Sequence, residues 1–253
     1  MGNDVLLKVE KLRRSFGGIV AVDNISFDLP KGEVLGIIGP NGSGKTTLIN
    51  LITGFIKPDS GKVIYQGKNI VGKMPYQIAN MGVVRSFQMV RPLYHLPAFK
   101  NLIPSLYAPR VKKLRGGKFG ERDDMAIDIL DDIGFERDSF VPYKLANALP
   151  HGYLKRLDLA RCIALRPDLL ILDELFSGMS MSEVASTLPI IERFNEQGLT
   201  IIMVEHRLRE LFRVANRVIV LNFGSKIAEG APAAVMESDE VKKAYLGTEE
   251  DGS

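Results

Sequence analysis

A single cysteine, Cys162, in 253 residues rules out an internal disulfide. Its neighbours Leu159, Ala160 and Ile163 point to a buried thiol rather than a reactive one. No apolar run reaches the roughly 18 residues that a membrane-spanning helix needs. Met1-Gly2-Asn3-Asp4 has neither the charged nor the apolar region of a secretory signal, so a cytoplasmic chain is expected. The net charge of +3 falls short of the basic footprint that nucleic-acid binders carry, and no nucleic acid is expected as a partner. No internal repeat is visible. What remains is an ordinary globular composition, 45% hydrophobic and 25% charged, long enough for one large domain or two small ones.

The most informative stretch is Gly39-Pro40-Asn41-Gly42-Ser43-Gly44-Lys45-Thr46-Thr47, a G-x-x-x-x-G-K-[ST] pattern preceded by the apolar run Val34-Leu35-Gly36-Ile37-Ile38. The run reads as a buried strand. Glycines in the loop permit positive φ and close backbone approach, so successive N–H groups can face phosphate oxygens. Thr46, Thr47, Leu48, Ile49 and Leu51 open a helix whose N-terminus favours an anion. Lys45 is then set to bridge the β- and γ-phosphates of a nucleotide, and the Thr46 hydroxyl to ligate Mg²⁺.

Val5–Val9 and Ile25–Leu29 read as strands, with Pro30-Lys31-Gly32-Glu33 turning the chain toward the phosphate loop. Lys62–Tyr65 and Val83–Phe87 are further short strands, the second ending at Gln88. Leu169–Leu172 and Leu199–Val204 are nearly continuous apolar runs, as a parallel sheet covered on both faces demands. Arg217–Leu221 and Ser225–Gly230 form a hairpin around Asn222-Phe223-Gly224. Between Arg91 and Arg166 strand patterns vanish, and Met125, Ile129 and Ile133 recur at helical spacing. The expected fold is α/β: a P-loop NTPase core with a parallel sheet, an N-terminal antiparallel β-layer and an inserted helical subdomain. Residues 1–90 and 167–247 make the core, 91–166 the subdomain, and 248–253 an acidic tail expected to be disordered. Lys112, Lys113, Arg115 and Lys118, around Gly116, Gly117 and Gly120, read as a solvated flexible loop ahead of the alternative, a basic run that touches anionic lipid headgroups.

Leu169–Leu172 ends in Asp173-Glu174. An acid at a strand tip can hold Mg²⁺ through water, and its neighbour can orient or deprotonate an attacking water. Leu149-Pro150-His151-Gly152-Tyr153 lies just before a helix running through Leu165. At this point the sequence resembles the ABC-type ATPases, whose signature Leu-Ser-Gly-Gly-Gln falls on Leu149 to Tyr153. The resemblance runs over nearly the whole chain and supplies the motif order. It makes Phe16 the ring that stacks on adenine, Gln88 a ligand of Mg²⁺ and the attacking water, His206 a contact of the γ-phosphate, and Ser177–Ser180 an interface loop. In this reading Glu174, His206 and Gln88 are catalytic; Thr46, Gln88 and Asp173 serve the metal; Phe16, Gly39, Asn41, Gly42, Ser43, Gly44, Lys45, Thr46 and Thr47 hold the nucleotide.

Val84–Leu93, the basic insert after Leu106 and Lys243-Ala244-Tyr245-Leu246-Gly247 are similar to ATP-binding subunits of branched-chain amino-acid importers. That implies an ATPase at the cytoplasmic face of a membrane, peripheral to transmembrane permease subunits. A second ATPase subunit is expected as partner, in a heterodimer rather than a homodimer, with a periplasmic or extracellular solute-binding protein acting indirectly. Met89 to Leu96 are expected to line the groove where a permease helix docks. The chain departs from the family pattern at Pro150, His151 and Tyr153, and again at Leu175 and Ser180. Proline supplies neither the hydroxyl nor the N–H of the signature serine, so the ATP site completed by this signature is expected to be slow. Two alternatives stay open: a nucleotide-gated subunit with little hydrolysis, and a soluble ABC ATPase outside transport.

Overall fold

The computed structural model describes residues 4–87, 91–114 and 122–246. The chain runs β1 (Val5–Phe16), β2 (Ile19–Pro30), β3 (Val34–Ile38), α1 (Lys45–Ile52), β4 (Ser60–Tyr65), β5 (Lys68–Asn69), α2 (Pro75–Met81) and β6 (Val83–Arg85). It continues through α3 (Ile103–Leu106), α4 (Pro109–Leu114), α5 (Arg122–Asp132), α6 (His151–Ala164), β7 (Leu169–Asp173) and α7 (Met181–Glu196). It closes with β8 (Thr200–Val204), α8 (Leu208–Val214), β9 (Arg217–Asn222), β10 (Ser225–Gly230), α9 (Pro232–Glu237) and α10 (Asp239–Leu246). Two compact units result: residues up to Ile78 together with those from Gly198 onward, and Ala79–Gln197.

In the first unit β2, β1, β4 and β5 lie side by side in that order, all antiparallel, which is the expected N-terminal β-layer. Leu7, Val9, Phe27 and Leu29 are buried where β1 and β2 alternate, and the strands run longer than the alternation alone suggests. β3 pairs in parallel with both β8 and β9, and β10 returns antiparallel to β9. Every residue of β3 and β8 is buried, which is why both read as unbroken apolar runs. Register fixes where functional loops emerge. Ile37 pairs with Val204 and Ile38 with Val220, so the segments following β3, β8 and β9 leave the sheet at one edge.

In the second unit β6 and β7 pair in parallel, with Arg85 opposite Ile171. β6 stops at Arg85, short of the expected Phe87: the Phe87 N–H donates to the Asp158 carboxylate at 3.2 Å instead of continuing a ladder. α5 falls where the four-residue recurrence places it, burying Ala126, Ile127 and Leu130. α7 carries Pro189 in its interior on an exposed turn, where water can take up the carbonyl that lost its partner. Cys162 is buried, and burial pushes its thiol well above the usual range, as expected of an inert packing residue. Gln88, Met89, Val90, much of the basic insert (115–121) and the tail (248–253) lie outside the described residues. Among the described residues no helix is long and apolar enough to cross a membrane.

Candidate functional site

In the first unit the loop between β3 and α1 is shaped by its glycines. Gly39 has φ 150°, and a Cβ there would stand 2.1 Å from the Leu221 carbonyl oxygen at the end of β9. Gly44, the N-cap of α1, has φ 101°, and a Cβ would stand 2.2 Å from the Ala21 carbonyl oxygen on β2. Both contacts are with backbone, which no rotamer change relieves. Glycine is therefore a steric requirement at both positions.

Lys45 is buried beneath the loop, its Nζ donating to the carbonyls of Gly39 and Pro40, both at 2.8 Å, and standing 3.5 Å from the Ser43 hydroxyl. The ammonium is thereby centred in the arch. Ser43 is buried, and its carbonyl accepts from the Gly224 N–H at 3.1 Å. Asn41, Gly42 and Thr46 are exposed and Thr47 is half-buried, so the outer rim of the loop and the first helical hydroxyl face solvent. His206 is exposed two residues beyond β8, and Gly39 follows β3 by one; their pairing in the sheet brings both to one edge. Phe16 ends β1 half-exposed, with the Arg14 guanidinium 4.7 Å from its ring centroid. Tyr245, in the last turn of α10, receives the Gly39 N–H on its hydroxyl; burial pushes that phenol up to about 12.

In the second unit Asp173 ends β7 and is buried. Its Oδ2 accepts from the Arg85 guanidinium at 2.6 Å, and its backbone N–H donates to the Ser86 hydroxyl at 3.2 Å. Glu174 follows at φ 51°, a left-handed conformation that costs a residue with a side chain about 1–2 kcal/mol. Such strain persists where the surroundings impose it and concentrates at functional positions. Here the Lys155 ammonium donates to the Glu174 carbonyl at 3.3 Å, and the Ser177 N–H donates to the same carbonyl at 3.2 Å.

The altered signature is also in this unit. Leu149 is buried, and Pro150 is the N-cap of α6 with φ −58° and ψ 157°, offering no side-chain acceptor to the helix. His151 is exposed, with Nε2 at 3.3 Å from the Ser177 carbonyl. Tyr153 turns its ring edge-on to Phe135 at 5.1 Å, so the aromatic in place of the signature glutamine does packing work. A Cβ at Gly152 would stand 2.1 Å from Glu183 Oε1, so a side chain there would displace that carboxylate. Glu183 accepts from the Ser180 N–H at 2.8 Å, the Ser180 hydroxyl at 2.9 Å and the Gly152 N–H. Those hydrogen bonds, the Ser180 backbone first, hold its carboxyl below the usual range. One carboxylate thus joins the signature, the loop Ser177–Ser180 and the start of α7, where Ser180 and Glu183 form a capping box.

Sequence reading missed Glu183, Arg85 and Lys155. The S-x-x-E spacing of Ser180 and Glu183 was a legible signal for the first. Nothing local marked the other two. Gln88 lies outside the described residues.

The residues present fit a Mg²⁺–nucleotide. The loop is a glycine cradle that a Cβ would fill, with a buried cation behind it and a helix N-terminus in front. In the first unit Thr46 offers a hard oxygen donor, the kind Mg²⁺ takes in ones and twos alongside phosphate and water, and in the second unit Asp173 is a donor of the same kind.

The ABC transporter family model matches residues 22–177, and the branched-chain amino acid ATP-binding cassette transporter model matches residues 225–251. The chain is 34% identical over 256 residues to the high-affinity branched-chain amino acid transport ATP-binding protein LivG of Salmonella typhimurium, covering 96% of this chain and 98% of that one. BraF of Pseudomonas aeruginosa, described in the same words, is 32% identical over 252 residues at the same coverage. A crystal structure of an ATP-binding cassette of an ABC transporter in its ADP conformation superimposes with a TM-score of 0.85 at 30% identity, covering 96% of this chain and 99% of that one. Likeness in sequence and in fold meet over nearly the whole length, and the chain belongs to the ABC transporter family as one of its ATP-binding, ATP-hydrolysing subunits.

Proposed function

We propose that the chain drives import of branched-chain or related amino acids, bound to permease subunits at the cytoplasmic face of a membrane and paired with a second ATPase subunit. The observation that carries the catalytic part is the cradle formed by Gly39, Gly44 and the buried Lys45. In this reading Phe16 stacks on adenine, with Arg14 steadying its ring. Backbone N–H groups of Asn41 to Thr47 hold the phosphates, and the Lys45 ammonium neutralises charge between them. Thr46, Asp173 and Gln88 hold Mg²⁺, which would supply Lewis-acid charge stabilisation to the phosphoryl oxygens. Glu174 orients or deprotonates the attacking water, helped by a strained backbone that fixes where its side chain starts. His206 contacts the γ-phosphate from the edge it shares with the phosphate loop.

Residues 1–90 and 167–247 carry this chemistry, and the helical subdomain 91–166 faces the permease. Support for the second role is an apolar surface. Leu93, Tyr94 and Leu96 are exposed, as are Tyr143 and Leu145. Backbone bonds from Asn147 to the Tyr94 carbonyl and from Ala146 to the Leu96 carbonyl hold the two groups together. Exposed apolar side chains on two segments joined in this way suit an amphipathic helix from a partner.

The deciding experiment is ATP hydrolysis by the purified chain, alone and with its membrane and ATPase partners, comparing wild type with Glu174→Gln. Turnover that appears in the complex and falls with Glu174→Gln supports the proposal. Turnover indifferent to Glu174 assigns hydrolysis to the partner and leaves this chain a nucleotide-gated subunit.

A further inference from the structure

Asp173 is buried at the tip of β7, yet its carboxylate already has a cation. Arg85 Nη2 donates to Asp173 Oδ2 at 2.6 Å, and the two side chains are only 8% and 4% exposed. A carboxylate taken this far from water is costly to leave without a compensating charge. Arg85 stands at the end of β6, opposite Ile171 and two residues short of Asp173, so the guanidinium reaches along the neighbouring strand. The backbone around it is pinned at three points. Its own carbonyl accepts from the Cys162 thiol at 3.5 Å, the Ser86 hydroxyl accepts from the Asp173 N–H, and the Phe87 N–H donates to Asp158. The guanidinium lies 5.5 Å from the Phe87 ring centroid, and the strand that carries it is held by bonds other than the ion pair, so a change at the guanidinium need not move the strand.

We propose that Arg85 is a positioning residue that holds the Asp173 carboxylate oriented before nucleotide arrives, and that it must yield an oxygen of that carboxylate when Mg²⁺ comes with ATP. This rests on reading Asp173 as the carboxylate that serves Mg²⁺. A guanidinium and a dication sharing one buried carboxylate repel each other across a short distance, in surroundings that screen poorly. The pair is thus a competitor for Mg²⁺ as well as a support for Asp173. Part of the affinity that Mg²⁺ adds to ATP binding is consumed in displacing Arg85.

The test is equilibrium binding of a fluorescent ATP analogue to the full chain, measured against Mg²⁺ concentration, beside thermal melts without nucleotide. Arg85→Gln, which keeps a neutral donor, should lower the Mg²⁺ midpoint about tenfold, the scale of one charge-assisted hydrogen bond. The same variant should melt earlier than wild type without nucleotide, and adding Asp173→Asn should recover most of that loss. Arg85→Lys keeps the charge but loses the fork, so its midpoint should fall between the two. A midpoint at or above wild type in whichever of these variants folds overturns the proposal. A wild-type chain that binds no ATP at any Mg²⁺ concentration overturns the functional reading beneath it, and this one with it.

Discussion

Replacing Pro150 by serine separates two roles of the signature. Pro150 already sits at N-cap angles, φ −58° and ψ 157°, and the first helical bond, from the Leu154 N–H to the Pro150 carbonyl at 3.0 Å, uses an atom serine also has. Serine fits without moving the backbone. Its hydroxyl would cap α6 for about 0.5–2 kcal/mol, while losing the proline ring returns about 0.4–1 kcal/mol of freedom to the unfolded chain. The two nearly cancel, so the melting temperature should barely move. Catalysis is another matter. If the signature faces a partner's γ-phosphate, as proposed, a hydroxyl donor there contributes about 1.5–3 kcal/mol, or roughly 10- to 150-fold in rate at the site this signature completes. The assay is ATP turnover of the assembled complex carrying Glu174→Gln, which on the proposed function silences this chain's own site and leaves the partner's to be counted. Turnover unchanged by Pro150→Ser in that background refutes the argument that the proline slows the opposing site.

Gly44→Ala should cost of order 2 kcal/mol or more, from a left-handed backbone and a carbonyl it cannot avoid. ATP retention should be lost while far-UV circular dichroism stays near wild type. For Glu183 the sign follows from its lowered folded-state pKa. Its contribution is present above the unfolded value of 4.5 and is lost as pH falls through the lower folded value. Glu183→Gln keeps the capping geometry without the charge, so denaturant melts across the acid range should show a shallower pH dependence than wild type. An identical slope would show that the carboxylate gains nothing from its donors.

What could be read from the sequence was what is local. The phosphate loop announces itself because its glycines, lysine and threonines are contiguous and follow a buried run that admits one reading. β7 and β8 were legible for the same reason, all five residues of each being buried. Asp173 and Glu174 were found by standing at a strand tip, but Arg85 was invisible as a partner: the ion pair joins strands far apart in sequence, and an arginine on β6 reads as an ordinary polar residue. The departures in the signature read as losses. In the fold Tyr153 has a partner in Phe135, and Gly152 is narrow because Glu183 fills the space beside it. Both facts depend on which elements pack together, and no residue spacing encodes that.

The phosphate loop is braced from outside itself. Gly44 abuts the Ala21 carbonyl of β2 and the Cα of Gly224, Gly39 abuts the Leu221 carbonyl, and the Ser43 carbonyl takes the Gly224 N–H. A motif nine residues long thus borrows its shape from two segments, one made before it and one made much later. On the ribosome the loop's own residues emerge well before two of these braces, β9 and the turn at Gly224, have been made. The full set of contacts around the cradle is consequently a late event in the life of a nascent chain.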